Sequence, residues 1–270
     1  MSANSKISVI MPNYNGSKYI DKAIHSVFNQ TYTNWELIIV DDCSTDDSWA
    51  SIMKWRAVSD TSSRNELLFA LHMDENSGSP AAPRNRALAL LGSDSKYVAF
   101  LDSDDYWEKD KLEKQVKYMD HSDCGLTYHF VNVKPSELMP FGWTSKNKPY
   151  QGHCFSQLFK RNFMPTCSIM VRTSVIDELD YYQDTTLKIS HDWEMWLRIA
   201  RRHKIGYIPQ ALGTLRLYSG STSAQTGLRR EESREVVRRW RGLVPRGLYY
   251  KTLMSYYLVE VRDYFDAFSK

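Results

Sequence analysis

Ile7-Ser-Val-Ile-Met-Pro-Asn-Tyr-Asn-Gly16 is the stretch whose reading decides the fold. A short, continuous apolar run meets proline and then a polar turn. The chain uses the same device twice more. Trp35-Glu-Leu-Ile-Ile-Val40 runs into Asp41-Asp42, and Tyr97-Val-Ala-Phe-Leu101 runs into Asp102-Ser-Asp-Asp105. Continuous apolar runs, as opposed to alternating ones, are the pattern of strands buried on both faces, as in parallel sheets. Between the first two runs, Ile20, Ala23, Ile24, Val27 and Phe28 recur at helical spacing. Ser44 and Thr45 offer N-caps ahead of the acidic pair Asp46-Asp47. Leu67 to His72 reads as a third strand, and a Gly/Pro/Ser loop from Asn76 to Pro83 leads into a helix from about Arg84 to Leu91. Strand and helix therefore alternate. The expected fold class is α/β, with a Rossmann-like, mostly parallel central sheet and helices on both faces. Ligands of such sheets bind beyond the carboxyl ends of the strands. Pro12–Asn15, Asp41–Asp42 and Asp102–Asp105 all lie at those ends.

After Asp105 the pattern loosens. Trp107 to Met119 reads as a helix, 120–190 as short strands and aromatic-rich loops, and His191 to His203 as a further helix. Arg229 to Trp240 and Tyr249 to Phe268 read as two more. With 42% apolar and 25% charged residues in 270, the chain has the composition of a globular protein and not of a disordered or collagen-like one. Four scattered cysteines without zinc-ligand spacing point to reduced thiols and a cytoplasmic setting. No apolar run is long enough to span a bilayer, and the run after the polar Met1–Lys6 is too short for a signal-peptide core. Charge is unevenly spread: residues 1–200 carry a net −5 and residues 201–270 a net +8.

The acidic clusters carry the chemistry. Three carboxylates within Asp102-Ser103-Asp104-Asp105 repel one another unless a cation joins them, and their oxygens suit Mg²⁺ or Mn²⁺. A solvated acidic turn capping the next helix is the plainer alternative. Asp42 could accept from a ribose hydroxyl or a base N–H, or simply cap a helix. Tyr14 could stack on a flat ring, or merely pack in its turn.

Four segments together carry a more specific signal. SVIMPNYNGSKYIDKAIHSVFNQTYTNWELIIVDDCSTDDS, NSGSPAAPRNRAL, YVAFLDSDDYW and SHDWEMWLRIA resemble, in this order, the glycosyltransferases of family 2. The resemblance covers residues 7–223. It implies the GT-A fold, a nucleotide-activated sugar as donor and inversion at the anomeric carbon. By motif, Pro12, Tyr14 and Asp42 resemble the base-contacting positions, and Arg84 the arginine that reaches the nucleotide pocket. Asp102, Ser103 and Asp104 resemble the segment that handles ribose and a metal-bound diphosphate, with Asp104 and Asp102 as the implied metal ligands. Asp192 resembles the catalytic base, with Glu194 next in line. Trp193 and, less so, Trp196 are candidates for stacking on sugar faces, but tryptophan at helical spacing more often belongs to a core. The sequence departs from the family pattern at Tyr218, where a histidine often stands. Arg216, Ser221, Thr222 and Ser223 remain as candidate phosphate contacts there. Pro83 replaces a common small residue and is expected to alter its own turn only.

The implied organisation is a GT-A domain over 1–224, with a nucleotide-sugar half (1–119) and an acceptor half (120–224), followed by a basic, aromatic helical extension over 225–270. The expected activity is transfer of one hexose or N-acetylhexosamine from a UDP-sugar to a hydroxyl of a lipid-linked glycan, in bacterial surface polysaccharide (O-antigen or capsule) synthesis. A protein or teichoic-acid-like acceptor, or a module without catalysis, is the alternative. Seven arginines between Arg229 and Arg246, interleaved with Trp240 and followed by Tyr249-Tyr250 and Tyr256-Tyr257, suggest contact with the anionic inner membrane surface, the plainer alternative being a solvated helix face packed on the domain. Arg230, Arg234, Arg238 and Arg241 are expected on one helical face. Nucleic acid is disfavoured as a partner, because a carboxylate-lined crevice repels phosphodiesters.

Overall fold

The structure, a computed structural model, describes residues 5–61, 67–134, 143–144, 149–221 and 224–268. Residues 1–4, the candidate phosphate contacts Thr222 and Ser223, and 135–142 and 145–148 of the acceptor half lie outside the described residues.

The apolar runs form the centre of one sheet. Strands β1 (Lys6–Asn13), β2 (Trp35–Asp41), β3 (Leu67–His72) and β4 (Ser95–Phe100) are parallel in the order β3-β2-β1-β4. They are separated along the chain by α1 (Ile20–Phe28), α2 (Ser48–Thr61) and α3 (Ala81–Leu88). Every residue of β2 is buried, and β1 is buried after Lys6. Alternate residues feed two cores. Val9, Met11, Leu37, Ile39 and Ala99 pack with α1 residues on one face, while Ile10, Ile38, Val98 and Phe100 pack on the other with the later helices. This is the two-faced burial that continuous apolar strands require.

The chain runs outward from β1 to β3 and then returns to place β4 on the other side of β1. The strand order reverses between β1 and β4, and a crevice opens beyond their carboxyl ends.

The second half of the sheet is mixed. It uses β5 (Tyr106–Trp107), β6 (Leu126–Val133), β7 (Trp143–Thr144), β8 (Met170–Arg172) and β9 (Ile205–Leu215). Antiparallel β8 joins β4 to β6, β6 runs parallel to β9, and β5 closes the path antiparallel to β9. Helices α4 (Lys111–Asp120), α5 (Phe155–Lys160), α6 (Thr173–Asp177) and α7 (His191–Arg202) accompany these strands. Helices α8 (Thr226–Arg239) and α9 (Arg246–Phe268) each start three residues earlier than the sequence expectation, and two further starts differ for reasons the packing shows. The helix expected from Trp107 starts at Lys111, because Tyr106 and Trp107 pair with Thr214 and Gly213 of β9 and the Trp107 indole donates to the Cys167 carbonyl at 2.7 Å. Helix α3 starts at Ala81 instead of Arg84, so Pro83 falls in its first turn, where its missing N–H costs little.

Helices α8 and α9 pack onto the acceptor half. Val236, Val237 and Trp240 are buried in the core that also holds Trp193 and Trp196. The Trp240 ring lies 5.1 Å from that of Phe155. Arg241 lies beyond the end of α8, so the expected four-arginine face stops at Arg238. Arg238 donates to the Tyr257 hydroxyl at 2.8 Å, and the Arg234 guanidinium stands 5.2 Å from the Tyr257 ring.

Candidate active site

The crevice at the β1/β4 switch point is a cavity of about 350 Å³, and three strand ends supply its donor-side wall. Beyond β1, Pro12, Asn13 and Tyr14 line it, with Tyr14 51% exposed. Gly16 is required in this turn, because a Cβ there would overlap the Asn13 side-chain oxygen and press on the Ser103 hydroxyl. Beyond β2, the two aspartates divide the work. Asp41 is fully buried and accepts from the Asn13 amide at 2.6 Å, the Ser44 hydroxyl at 2.6 Å and His72 Nδ1 at 2.9 Å. It ties strand ends together and does not face the cavity. Asp42 lines the cavity and receives the Ser77 N–H at 3.0 Å and the Ser77 hydroxyl at 2.9 Å.

Beyond β4 the carboxylates also separate by role. Asp102 is paired with Arg84, whose guanidinium is buried and also reaches Gln183 at 3.4 Å. Asp105 is buried and accepts the Arg216 backbone N–H at 2.9 Å, which fastens the chain after β9 to the acidic turn. Asp104 lies between them. Burial and the neighbouring Asp102 charge push its carboxyl up to about 6. The Tyr218 hydroxyl is hydrogen-bonded to Asp104, and burial followed by the Asp104 charge raises the phenol's pKa. Tyr218, the position at which the chain departs from the family pattern, is thus bonded to the acidic turn. The Arg216 guanidinium is 4.6 Å from the Tyr19 ring and 5.4 Å from the Tyr106 ring, and its Nε has no hydrogen-bond partner among the described residues. Ser221 lines the same wall, but its hydroxyl is used by the Tyr218 carbonyl at 2.8 Å.

The opposite wall comes from the second half. Asp192, in the first turn of α7, accepts the Thr166 hydroxyl at 2.7 Å and the Trp193 N–H at 2.6 Å. Burial raises its pKa, and Thr166, Arg84 and the Trp193 N–H oppose that rise. A fixed carboxylate of raised basicity that opens on a cavity has the properties of a general base. Glu194 is engaged by Arg198 at 3.0 Å and by Tyr181 at 3.0 Å, and is not among the residues lining the cavity.

The structure therefore brings Pro12, Tyr14, Asp42, Arg84, Asp102, Ser103, Asp104 and Asp192 to one cavity. It removes the two tryptophans from it. Trp193 is 2% exposed and donates to the Leu158 carbonyl at 2.8 Å, and Trp196 packs edge-on to Phe100 at 5.4 Å. Their helical spacing reports core packing, not sugar stacking. Ser77, Thr166 and Lys188 were not singled out in the sequence, and Asn13 appeared there only as part of the Pro12–Asn15 turn. Only Asn13 and Ser77 could have been suspected, from their place inside matched segments.

No three His, Cys, Asp or Glu side chains form a metal cluster among the described residues. The donor set present is a pair of carboxylates, which fits a divalent cation that takes one or two protein oxygens and completes its shell with phosphate and water. Burial first, and then repulsion from Asp102, raises the Asp104 carboxyl, and such an ion would relieve the repulsion.

An α/β sheet with a carboxylate-lined crevice at its switch point and a further carboxylate, Asp192, on the far wall is the arrangement expected of the GT-A fold. The glycosyl transferase family 2 model matches residues 8–180. The chain belongs to that family. It is 30% identical over 219 residues to TuaG of Bacillus subtilis (strain 168), a glycosyltransferase named for teichuronic acid biosynthesis, with 81% of each chain covered. It is 28% identical over 236 residues to the UDP-Glc:alpha-D-GlcNAc-diphosphoundecaprenol beta-1,3-glucosyltransferase WfgD of Escherichia coli, covering 87% of this chain and 83% of that one. Longer relatives match as well, the chain spanning 34% of one rickettsial glycosyltransferase. The crystal structure of Staphylococcus aureus TarS 1-349 in complex with UDP-GlcNAc superposes with a TM-score of 0.72 at 25% identity, over 93% of this chain and 71% of that one.

Proposed function

We propose that the protein transfers a single hexose or N-acetylhexosamine from a UDP-sugar to a hydroxyl of a lipid-linked glycan during synthesis of a bacterial surface polysaccharide, with inversion. The observation that carries this reading is the shared cavity, with donor-binding carboxylates on one wall and Asp192 on the other. The likeness to a UDP-GlcNAc complex supports the donor class. The names of WfgD and TuaG support a cell-surface polymer, and that of WfgD a lipid diphosphate acceptor. TuaG, matched along 81% of its length, also favours a second reading, in which the acceptor is an anionic wall polymer.

In this reading Tyr14 stacks on the base, Asp42 accepts its N–H, and Arg84 holds Asp102 in place for the ribose. Arg216 is the protein cation on the diphosphate side. Mn²⁺ or Mg²⁺ held by Asp104, with Asp102 beside it, would neutralise charge growing on the departing UDP. Asp192 takes the proton of the acceptor hydroxyl as that oxygen attacks the anomeric carbon. One base suffices for a single displacement, and the outcome is inversion. The test is UDP release from UDP-Glc and UDP-GlcNAc, with Mn²⁺ and with excess EDTA. Metal-dependent release is the expected result, and full turnover in EDTA would remove the metal from the scheme.

The helical extension would hold the enzyme peripherally on the inner membrane face. Among the described residues no helix is long and apolar enough to cross a membrane. On α9, Tyr250, Met254, Tyr257 and Leu258 are exposed at i, i+4, i+7 and i+8, with the exposed Arg241, Leu243 and Arg246 just before and Lys251 among them. Apolar and basic residues on one short segment suit an anionic interface. Vesicle co-sedimentation should rise with anionic lipid and fall at about 0.5 M salt. Met254→Glu with Leu258→Glu should release the protein, and equal binding to neutral and anionic vesicles would contradict this placement.

A further inference from the structure

Glu232 belongs to no motif and sits within the arginine-rich segment, yet the residue is only 7% exposed and its carboxylate is turned onto the backbone of 188–190. It accepts hydrogen bonds from three successive backbone N–H groups: Lys188 at 2.6 Å, Ile189 at 2.8 Å and Ser190 at 2.8 Å. Ser190 is the N-cap of α7, and Asp192 lies in the first turn. A helix start presents unpaired N–H groups and a partial positive charge. The Ser190 side chain makes no capping bond, so a carboxylate from another helix pairs the N–H groups leading into α7. Helix α8 is itself fixed to this segment by Arg239, which pairs with Asp184 and donates to the Thr186 hydroxyl at 3.2 Å. Residues 184–190 are therefore held to α8 at both ends.

We propose that Glu232 is a positioning residue for the transfer reaction, clamping 188–190 so that the first turn of α7 aims Asp192 at the acceptor hydroxyl. The proposal rests on the reading of Asp192 as the base. The groups that face Asp192 are Thr166, the Trp193 N–H, Arg84 of α3, Asp102 beyond β4 and Arg229 of α8, with buried His191 beside it kept neutral. Thr166, the N–H and the two arginines favour its anion, while burial and Asp102 favour its protonated form. Glu232 adds negative charge at the positive start of α7 and so sustains the basicity of Asp192. Loss of that charge should lower both the rate and the pH at which Asp192 ionises. A clamp with no electrostatic part would lower the rate alone.

The test compares wild type, Glu232→Gln and Glu232→Asp in hydrolysis of UDP-GlcNAc and UDP-Glc between about pH 5 and pH 9. UDP affinity and amide hydrogen exchange at 188–190 are read on the same samples. For Glu232→Gln the expected result is a kcat lower by about 10–100-fold, as for misplacement of a reacting group by an ångström or less. UDP affinity should be within twofold of wild type, the acid limb of the pH profile at lower pH, and exchange at 188–190 faster. Glu232→Asp, which keeps the charge, should return the acid limb toward its wild-type position. A wild-type rate and unmoved limb in Glu232→Gln, or unchanged exchange at 188–190, would overturn the proposal. Wild-type protein that neither binds UDP nor releases it from either sugar would count against the transferase reading instead, and the exchange measurement would still decide the clamp.

Discussion

Apart from Arg84 on α3, residues 5–119 deliver their polar side chains from the ends of parallel strands, each a few residues from the apolar run that places it. Residues 120–258 assemble theirs over long chain distances: Asp192 depends on Thr166, 26 positions earlier, and on a helix start bound by Glu232, 40 positions later. The strand-end wall is fixed by the sheet register itself. The Asp42 N–H bonds the Asn13 carbonyl at 2.8 Å, and the Leu101 N–H bonds the Ile10 carbonyl at 3.0 Å. The opposite wall is fixed by side chains, so single substitutions can disturb it without touching the sheet. Donor binding should therefore be the robust property of this molecule, and alignment of the base the fragile one.

The strongest way to sharpen that contrast is Asp192→Asn. The amide preserves shape and removes the basic oxygen, so transfer or hydrolysis should fall by about 10²–10⁴. Near-normal turnover by a folded Asp192→Asn protein would move the base elsewhere. Trp193→Ala comes next. Its ring is core, so unfolding should show a loss of about 3–5 kcal/mol, as for other buried tryptophans, and a variant of unchanged stability would return the ring to the sugar site. Asp104→Asn tests the strand-end wall. The Asp104 carboxyl is raised in the fold, so its ionisation at neutral pH destabilises the protein, and that penalty fades as pH falls through about 6. The apo variant should melt higher than wild type at pH 7, by up to about 2 kcal/mol of stability, and the gain should vanish near pH 4. The smallest effect belongs to Thr166→Val. Its hydroxyl stabilises the Asp192 anion, so its loss should raise the Asp192 pKa and move the acid limb of the rate profile to higher pH. An unmoved limb would mean that Thr166 does not reach the ionised base in solution.

The same contrast explains what the sequence revealed. The apolar runs ending at Met11, Val40 and Leu101 and the polar clusters behind them were legible because strand and site share a few consecutive residues. Asp192 was legible through the resemblance of its segment, whereas its partners were not. Thr166 lies in a three-residue turn without periodicity, and Glu232 looks like one acid among arginines. Trp193 and Trp196 stayed ambiguous in the sequence because aromatic residues on a helix face serve a core and a sugar site with the same spacing, and the structure selects the core. The start of α4 was missed because Tyr106 and Trp107 pair with a strand that arrives a hundred residues later.

Titration of UDP into wild type, Asp104→Ala and Asp192→Asn, with Mn²⁺ present, tests the division of labour most directly. Asp104→Ala should lose metal-dependent UDP affinity, while Asp192→Asn should bind UDP within about twofold of wild type. Equal loss of UDP affinity in both variants would contradict the account, because base and donor site would then be one wall and not two.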